Sequence, residues 1–451
     1  MADGVWLLLP DNLTIRLFFE TGIVEGLEER LGDRLVVVLP DRAERADWAS
    51  RVRGTVLHRD DLVPVRVGTG ERVLRRVDRA LDRQLGYYPL AMRLNQRHGF
   101  HTERMRPGHP NWMLDSDRDS TLPRWSGVER AMAGWHFGRR RYVPHELYRC
   151  MQEECSALVV SNVQPHAVVP FLVGARRLGL PIVGHVASWD HTVGKGVIAS
   201  FCDAYVVQND AMRDDLVRYH EIPAERIVVT GWPQTDVYAR RRPREEYDVL
   251  LRSFGLDPAR PLVVAMGNTP ANTPYEDRFV ERMVEWWAAS GEDRPSLLFR
   301  PHPRDREWRE RFRAALATDG IAVQEASYTD FEELATLLQH CSCVVTNAGT
   351  ILLDALVNDR PSVCVLYDEG APPGESHALQ NLIGEHYREL AESSAFYRAA
   401  SFEEVVAGVE RALEHPEELA AERRRVVLRV VGEVDGHAAG RVVDAITATV
   451  E

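Results

Sequence analysis

Only one lysine, Lys195, stands in a chain of 451 residues. The rest of its 55 basic residues are arginines, set against 68 Asp and Glu, for a formal net charge of −13. A chain this acidic is not a general nucleic-acid binder, and no nucleic-acid partner is expected. Cysteine is scarce too. Six cysteines, none in CxxC spacing, exclude a disulfide scaffold. Cys341 and Cys343 fall in a strand-like run and read as small buried thiols. No apolar run approaches the roughly 20 residues that span a bilayer. The N-terminal run 5–9 is too short for a signal peptide and lacks a basic flank, which predicts a cytoplasmic protein. There is no GxGxxG after the first strand and no GxxxxGK[ST] anywhere, which argues against a standard dinucleotide fold and a P-loop NTPase.

What the chain does have is an alternation of apolar runs and helical spacing. Runs at 5–9, 35–39, 157–160, 181–185, 204–207 and 226–230 read as strands, with helices between them at 168–178, 197–202 and 210–219. The same rhythm restarts with strands at 262–266, 296–300, 322–324, 343–346 and 362–366 and helices at 275–289, 306–317, 331–340 and 352–357. Continuous apolar strands alternating with helices predict parallel sheets covered on both faces. The expected fold class is therefore α/β, with two doubly wound, Rossmann-like domains facing across a cleft into which the strands' carboxyl ends open. The expected division is 1–240, 241–430 and a C-terminal helix in 431–451 packing back toward the first domain. An Arg/Pro-rich stretch at 238–247 reads as the linker. Residues 70–150 break the rhythm and read as a helical excursion of the first domain. The segment 66–141 holds 16 Arg against 8 Asp and Glu. A solvated basic surface is one reading of it; peripheral contact with the inner membrane face is another. Asp115 and Asp117 form a DxD in that segment, but no metal site is expected from them.

Four clusters have the residue types that chemistry needs. The loop 184–196 follows a strand and carries His185, Ser188, Asp190, His191, Thr192 and Lys195 among three glycines. So many polar groups at a strand end are costly to bury without a ligand. Asp190 or His191 suits a general base. Lys195, the one position where the Arg bias is broken, suits a site that needs a compact ammonium rather than a planar fork. The second cluster, 231–236, bends through Gly231 and Pro233 to Asp236, at an acceptor site or a hinge. In the third, Arg300-Pro-His302-Pro directly follows a strand; Arg suits bidentate contact with phosphate. In the fourth, Asn347-Ala-Gly349-Thr350 leads from a strand into a helix containing Asp354. Free N–H groups and the dipole at such a helix start favour an anion. Gly267-Asn268-Thr269 is a similar turn after the first strand of the second half.

The order of these clusters resembles the GT-B glycosyltransferase superfamily, and within it the CDP-glycerol glycerophosphotransferase branch. That branch has Trp-His-Gly-Thr-Pro-x-Lys, Gly-x-Pro-x-x-Asp, Arg-x-His-Pro, and then a Ser-rich turn before an Asp-containing helix. The counterparts are Trp189 to Lys195, Gly231 to Asp236, Arg300 to Pro303, and Asn347 to Thr350 with Asp354; residues 435–441 look like the family's closing helix. Two departures stand out: Asp190 lines up with the family's His, and the Ser-rich turn has become Asn-Ala-Gly-Thr. The resemblance implies a metal-independent transferase without a cofactor. It would move a glycosyl group from a nucleotide-diphosphate donor to a hydroxyl acceptor, a glycan, a lipid-linked chain or a small molecule, in cell-surface glycan synthesis. Gly267, Asn268, Thr269, Arg300, His302, Asn347, Gly349, Thr350 and Asp354 would hold the donor. Asp190, His191 and Lys195 would be catalytic, and His185, Ser188, Thr192, Gly231 and Asp236 would serve the acceptor or the hinge. Alternatives are glycerophosphate transfer from CDP-glycerol, a UDP-N-acetylglucosamine 2-epimerase-like reaction, and a non-catalytic nucleotide-sugar-binding protein.

Overall fold

In the computed structural model the described residues are 3–41, 46–63, 142–194, 197–325, 330–372, 377–380 and 385–451, with a few isolated positions besides. Most of the segment 70–150 lies outside them, as do Asp115, Asp117 and Lys195. The chain divides into two compact units. One takes the described residues up to Asp236 together with His437–Glu451; the other takes Val237–Gly436.

In the first unit, seven strands form a single sheet: β1 (Gly4–Leu8), β2 (Leu35–Leu39), β3 (Thr55–His58), β4 (Cys155–Val160), β5 (Ile182–His185), β6 (Ala204–Val207) and β7 (Ile227–Val229). Their order is β3-β2-β1-β4-β5-β6-β7, and every pairing is parallel. Central β1 sets Trp6 opposite both Val36 and Leu158. A strand covered on both faces needs apolar residues at every position, hence the unbroken runs. The sequence order reverses between β1 and β4, the place where open parallel sheets bind ligands beyond their carboxyl ends.

The C-terminal helix Ala438–Val450 belongs to this unit: Val442, Val443 and Ile446 share a core with Val5, Leu7, Phe18 and Leu27. Gly26 leaves room for it, since a Cβ there would stand 2.9 Å from a Val443 methyl. Asp236 caps the helix by accepting the N–H groups of Ala438 and Ala439 at 3.1 and 2.8 Å.

In the second unit, β8 (Leu262–Met266), β9 (Ser296–Arg300), β10 (Ile321–Val323), β11 (Cys343–Thr346), β12 (Ser362–Val365) and β13 (Tyr397–Ala399) form a parallel sheet in the order β10-β9-β8-β11-β12-β13. Helices cover both faces, with Val280, Met283, Phe312 and Val405 on one and Tyr247, Leu251, Leu337 and Leu338 on the other. Its switch point lies between β8 and β11. Both units are thus doubly wound α/β structures, as the alternation predicts.

The structure departs from the sequence reading where local bonding overrides periodicity. Residues 197–202 are not a helix. The N–H of Ile198 is bound by His220 Nδ1 at 3.1 Å and that of Cys202 by the Tyr205 hydroxyl at 3.0 Å, so side chains take donors a helix would use. The helix expected at 306–317 is two short ones, Trp308–Arg311 and Arg313–Leu316, parted at Phe312, whose ring packs on Phe299 with centroids 5.9 Å apart. The stretch 238–247 is no free linker: Tyr238 and Tyr247 are buried in the second unit's core, and the helix Arg244–Ser253 starts within it. Cys341 and Cys343 are buried free thiols, and burial pushes Cys341 up to about 12.

Candidate active site

In the first unit, the loop after β5 is pinned from both sides. Gln164 Nε2, from the loop after β4, donates to the His191 carbonyl at 2.7 Å, and Gln208 Nε2, just beyond β6, donates to the Ala187 carbonyl at 3.4 Å. Trp232 of the second cluster packs its ring 6.1 Å from that of Trp189. Within this frame Ser188 Oγ donates to Asp190 Oδ1 at 2.6 Å, and the same oxygen stands 4.0 Å from His191 Nε2. Asp190 is half-buried and His191 buried. A carboxylate held by a hydroxyl with an imidazole beside it can accept a proton and keep a defined direction.

His185 lies deeper. Its Nδ1 donates to the Ser161 carbonyl at 2.8 Å, and its buried Nε2 has no hydrogen-bond partner. Complete burial pushes its pKa down to about 4, so the ring is neutral near pH 7. Thr192 Oγ1 donates to Asp215 Oδ2 at 2.7 Å and ties the loop to the helix Asp210–His220. Gly231 has φ +87°, and a Cβ there would stand 2.9 Å from Arg441 Nη2, whose Nε bonds to the Thr230 carbonyl at 2.7 Å. Gly231 and Asp236 therefore seat the C-terminal helix.

In the second unit the donor candidates gather at the β8/β11 switch point. The turn Gly267-Asn268-Thr269 wraps the carboxylate of Glu276, which accepts the Asn268 N–H at 3.0 Å. The Asn268 side-chain oxygen is taken by the N–H of Thr269 at 2.7 Å. Its Nδ2 lies 3.9 Å from where a Gly349 Cβ would be, so the two turns are neighbours. Asn347 is anchored, donating Nδ2 to the Val365 carbonyl at 3.0 Å. Gly349 occupies the N-cap position of the helix Thr350–Val357 in extended backbone, with no side-chain cap, and Thr350 is exposed. Backbone N–H groups at such a start favour an anion. Asp354 lies in the second turn of that helix, half-buried. A pocket opens beside these turns, with Gly267, Asn347, Tyr367 and Glu369 among its lining residues and Phe299 and Val345 at its apolar wall.

Arg300 and His302 differ in placement. Arg300 is buried and its Nη2 meets Asp330 Oδ2 at 2.6 Å, so its charge is neutralised within the unit. His302 is half-buried, and its Nδ1 accepts the Arg304 N–H at 3.0 Å. Asp330 and Glu276 were not singled out from sequence; each lies outside any motif, and no spacing signal marks it. Among the described residues, no three His, Cys, Asp or Glu side chains gather in a way that could hold a metal ion.

Residues 191–448 match the model of the family described as CDP-Glycerol:Poly(glycerophosphate) glycerophosphotransferase, more than half of the chain. No curated protein sequence matches it. Among solved structures, the UDP-GlcNAc 2-epimerase of Neisseria meningitidis is similar at TM-score 0.55 and 8% identity, over 99% of this chain and 100% of that one. The UDP-GlcNAc 2-epimerase of Methanocaldococcus jannaschii is similar at TM-score 0.54 and 12% identity, over 99% of each chain. The wall teichoic acid polymerase TagF is similar at TM-score 0.51 and 10% identity, over 99% of this chain and 89% of that one. At such identities the likenesses bear on the fold.

Proposed function

The chain belongs to the CDP-glycerol:poly(glycerophosphate) glycerophosphotransferase family, with two Rossmann-like domains of the GT-B kind, and we propose that it transfers a glycerophosphate-type group from a CDP-activated donor to a hydroxyl of a surface polymer. The observation that carries this reading is the convergence of the turns 267–269 and 347–350 at the second unit's switch point, beside an uncapped helix start. An acceptor oxygen attacks the phosphorus that bears the polyol. The bond to the bridging oxygen breaks and CMP leaves. The acceptor's proton passes to Asp190 or His191. N–H groups at Gly349 and Thr350 stabilise the charge gathering on the leaving phosphate, an interaction that strengthens in the transition state.

A second reading, glycosyl transfer, is favoured by the two departures from the family pattern, Asp190 and the turn Asn347 to Thr350. There the acceptor attacks the anomeric carbon and a nucleoside diphosphate leaves. The leaving group separates the readings. With CDP-glycerol, nucleotide sugars and a panel of hydroxyl acceptors, acceptor-dependent release of CMP is expected. Release of UDP or another diphosphate selects glycosyl transfer, and conversion of UDP-N-acetylglucosamine without acceptor selects epimerisation. The scheme uses no divalent ion, so turnover is expected to survive EDTA; a loss restored by magnesium overturns that part.

A further inference from the structure

A buried ion cluster lies beneath the second unit's turns and belongs to none of the motifs. Glu276, the first residue of the helix Glu276–Ala289, accepts the Asn268 N–H through Oε1 and meets Arg311 Nη2 through Oε2 at 2.9 Å. It lies so close to Gly267 that a Cβ there would stand 3.0 Å from Oε1. Arg311 also reaches Asp305, Nε to Oδ2 at 3.0 Å, and donates to the Thr273 carbonyl at 2.8 Å. Asp305 in turn is tied to the Arg-Pro-His-Pro loop, because its N–H donates to the His302 carbonyl at 2.8 Å. The side chains of Glu276, Arg311 and Asp305 are 8%, 11% and 0% exposed. One guanidinium thus serves two buried carboxylates, Glu276 against the turn 267–269 and Asp305 just past the loop 300–303.

We propose that Glu276, Arg311 and Asp305 are positioning residues that brace the turn 267–269 against the loop 300–303, so that ionised Glu276 sets the geometry in which both motifs meet a nucleotide diphosphate. This rests on the reading of the second unit as donor-binding. A buried ion triad costs more in desolvation than a well-packed apolar cluster of the same size, so stability alone is a poor reason for it. Here one carboxylate, Glu276, ends on the turn 267–269, and the other belongs to Asp305, whose own backbone N–H closes the loop 300–303 at the His302 carbonyl, so the guanidinium links the two segments whose separation a diphosphate would sense. The brace is also sensitive to pH. Burial raises Glu276 to about 7 against the opposing pull of Arg311. Arg311 and Asp305 face it directly, and Tyr275, Tyr367, Asp368 and Glu369 line the same pocket. Above pH 7 the carboxylate holds the Asn268 N–H as an anion; below it, the protonated acid is a weaker acceptor and the ion contact to Arg311 is lost.

The test has a ligand-free and a ligand-bound arm, run on the full chain. Hydrogen exchange is measured on the segment holding Asn268 at pH 6 and pH 8, as protection factors corrected for intrinsic rates. Wild type is expected to lose about tenfold in protection at pH 6, and Glu276→Gln to be low and flat at both. Glu276→Asp keeps the charge one methylene short and is expected to retain the pH dependence, and the wild-type pH series stands even if the Gln variant fails to fold. CDP and UDP are then titrated into the same proteins. Wild type is expected to bind one of them about tenfold more tightly than Glu276→Gln at pH 8, with the gap closing at pH 6. Exchange indifferent to pH and to the variant overturns the brace. Equal nucleotide affinity in wild type and variant, with exchange that follows Glu276, overturns its role in the donor site. A wild type that binds neither nucleotide overturns the donor reading and this role with it.

Discussion

The Arg300 guanidinium meets the Asp330 carboxylate at 2.6 Å, with side chains only 7% and 15% exposed. The arginine of Arg-Pro-His-Pro is therefore held inside its own unit, and its first effect is on stability. Breaking a buried pair leaves an uncompensated charge and costs about 3–5 kcal/mol. Arg300→Ala and Asp330→Ala should each lower the urea unfolding free energy by that order, and Arg300→Met/Asp330→Leu should recover much of it. His302→Ala should leave unfolding nearly unchanged and weaken nucleoside diphosphate binding by about tenfold, the lower end of a charge-assisted contact. Single Arg300 variants as stable as wild type would show that the pair is not a structural element.

That pair illustrates where the sequence stops being legible. Residues buried on both faces of a sheet announce themselves, as 35–39 and 262–266 do, because solvation demands an unbroken apolar run. Edge strands are less regular. Ile227–Val229 and Ile321–Val323 still carry apolar runs and read as strands, whereas Thr55–His58 and Tyr397–Ala399 are broken by polar residues and form no apolar run. Motifs that end a strand were readable for the same solvation reason: polar residues packed against an apolar run need an explanation. The partners that orient them were not. Asp330 is 30 positions from Arg300, and Arg311 is 35 from Glu276. Asp236 reads as an acceptor or hinge residue from its neighbours Gly231 and Pro233, and nothing near it in sequence tells that its carboxylate also caps a helix 202 residues away.

The cap and its glycine make the C-terminal helix separable by mutation. Asp236→Ala removes the acceptor for two helix-start N–H groups and should cost about 1–2 kcal/mol. Gly231→Ala places a methyl against Arg441 and Ala438 at φ +87°, and should cost more. Deleting residues 437–451 uncovers Val5, Leu7 and Leu27 and should abolish cooperative unfolding of the first unit. A soluble, cooperatively folding truncation would show that the helix is dispensable.

Acid should destabilise the first unit through two histidines. His220 accepts the Ile198 N–H on Nδ1 at 3.1 Å and donates from Nε2 to the Thr192 carbonyl at 2.7 Å, a pattern only the neutral ring can make. Burial holds both His220 and His185 down at about 4, against 6.5 when exposed. Between those values the unfolded chain binds more protons, so stability falls as pH falls from about 6.5 toward 4. The loss is on the order of 3 kcal/mol for each ring across the whole window. His220→Gln should make the decline visibly shallower in urea midpoints taken at pH 7.5, 6 and 5. A decline of unchanged slope would place the acid sensitivity elsewhere.

The loop after β5 gives the sharpest test of mechanism. Ser188 donates to Asp190 at 2.6 Å, which fixes the carboxylate's direction while leaving His191 4.0 Å away, beyond a hydrogen bond to the same oxygen. If Asp190 takes the acceptor's proton, Asp190→Asn should lower turnover by about 100- to 10,000-fold with donor affinity nearly intact. Ser188→Ala should then give a smaller loss, because it frees the carboxylate without removing it. If His191 is the base, His191→Ala takes the large loss and the acid limb of the rate profile follows an imidazole. Lys195 completes the series. The chain uses arginine for every other positive charge in its sequence, so a site needing charge alone should accept Lys195→Arg. A site needing a compact ammonium should not. A large drop in turnover with an unchanged melting temperature is expected. Lys195→Arg behaving as wild type would overturn the lone-lysine argument. Full activity in Asp190→Asn, His191→Ala and Lys195→Arg together would make the loop structural and put the base outside it.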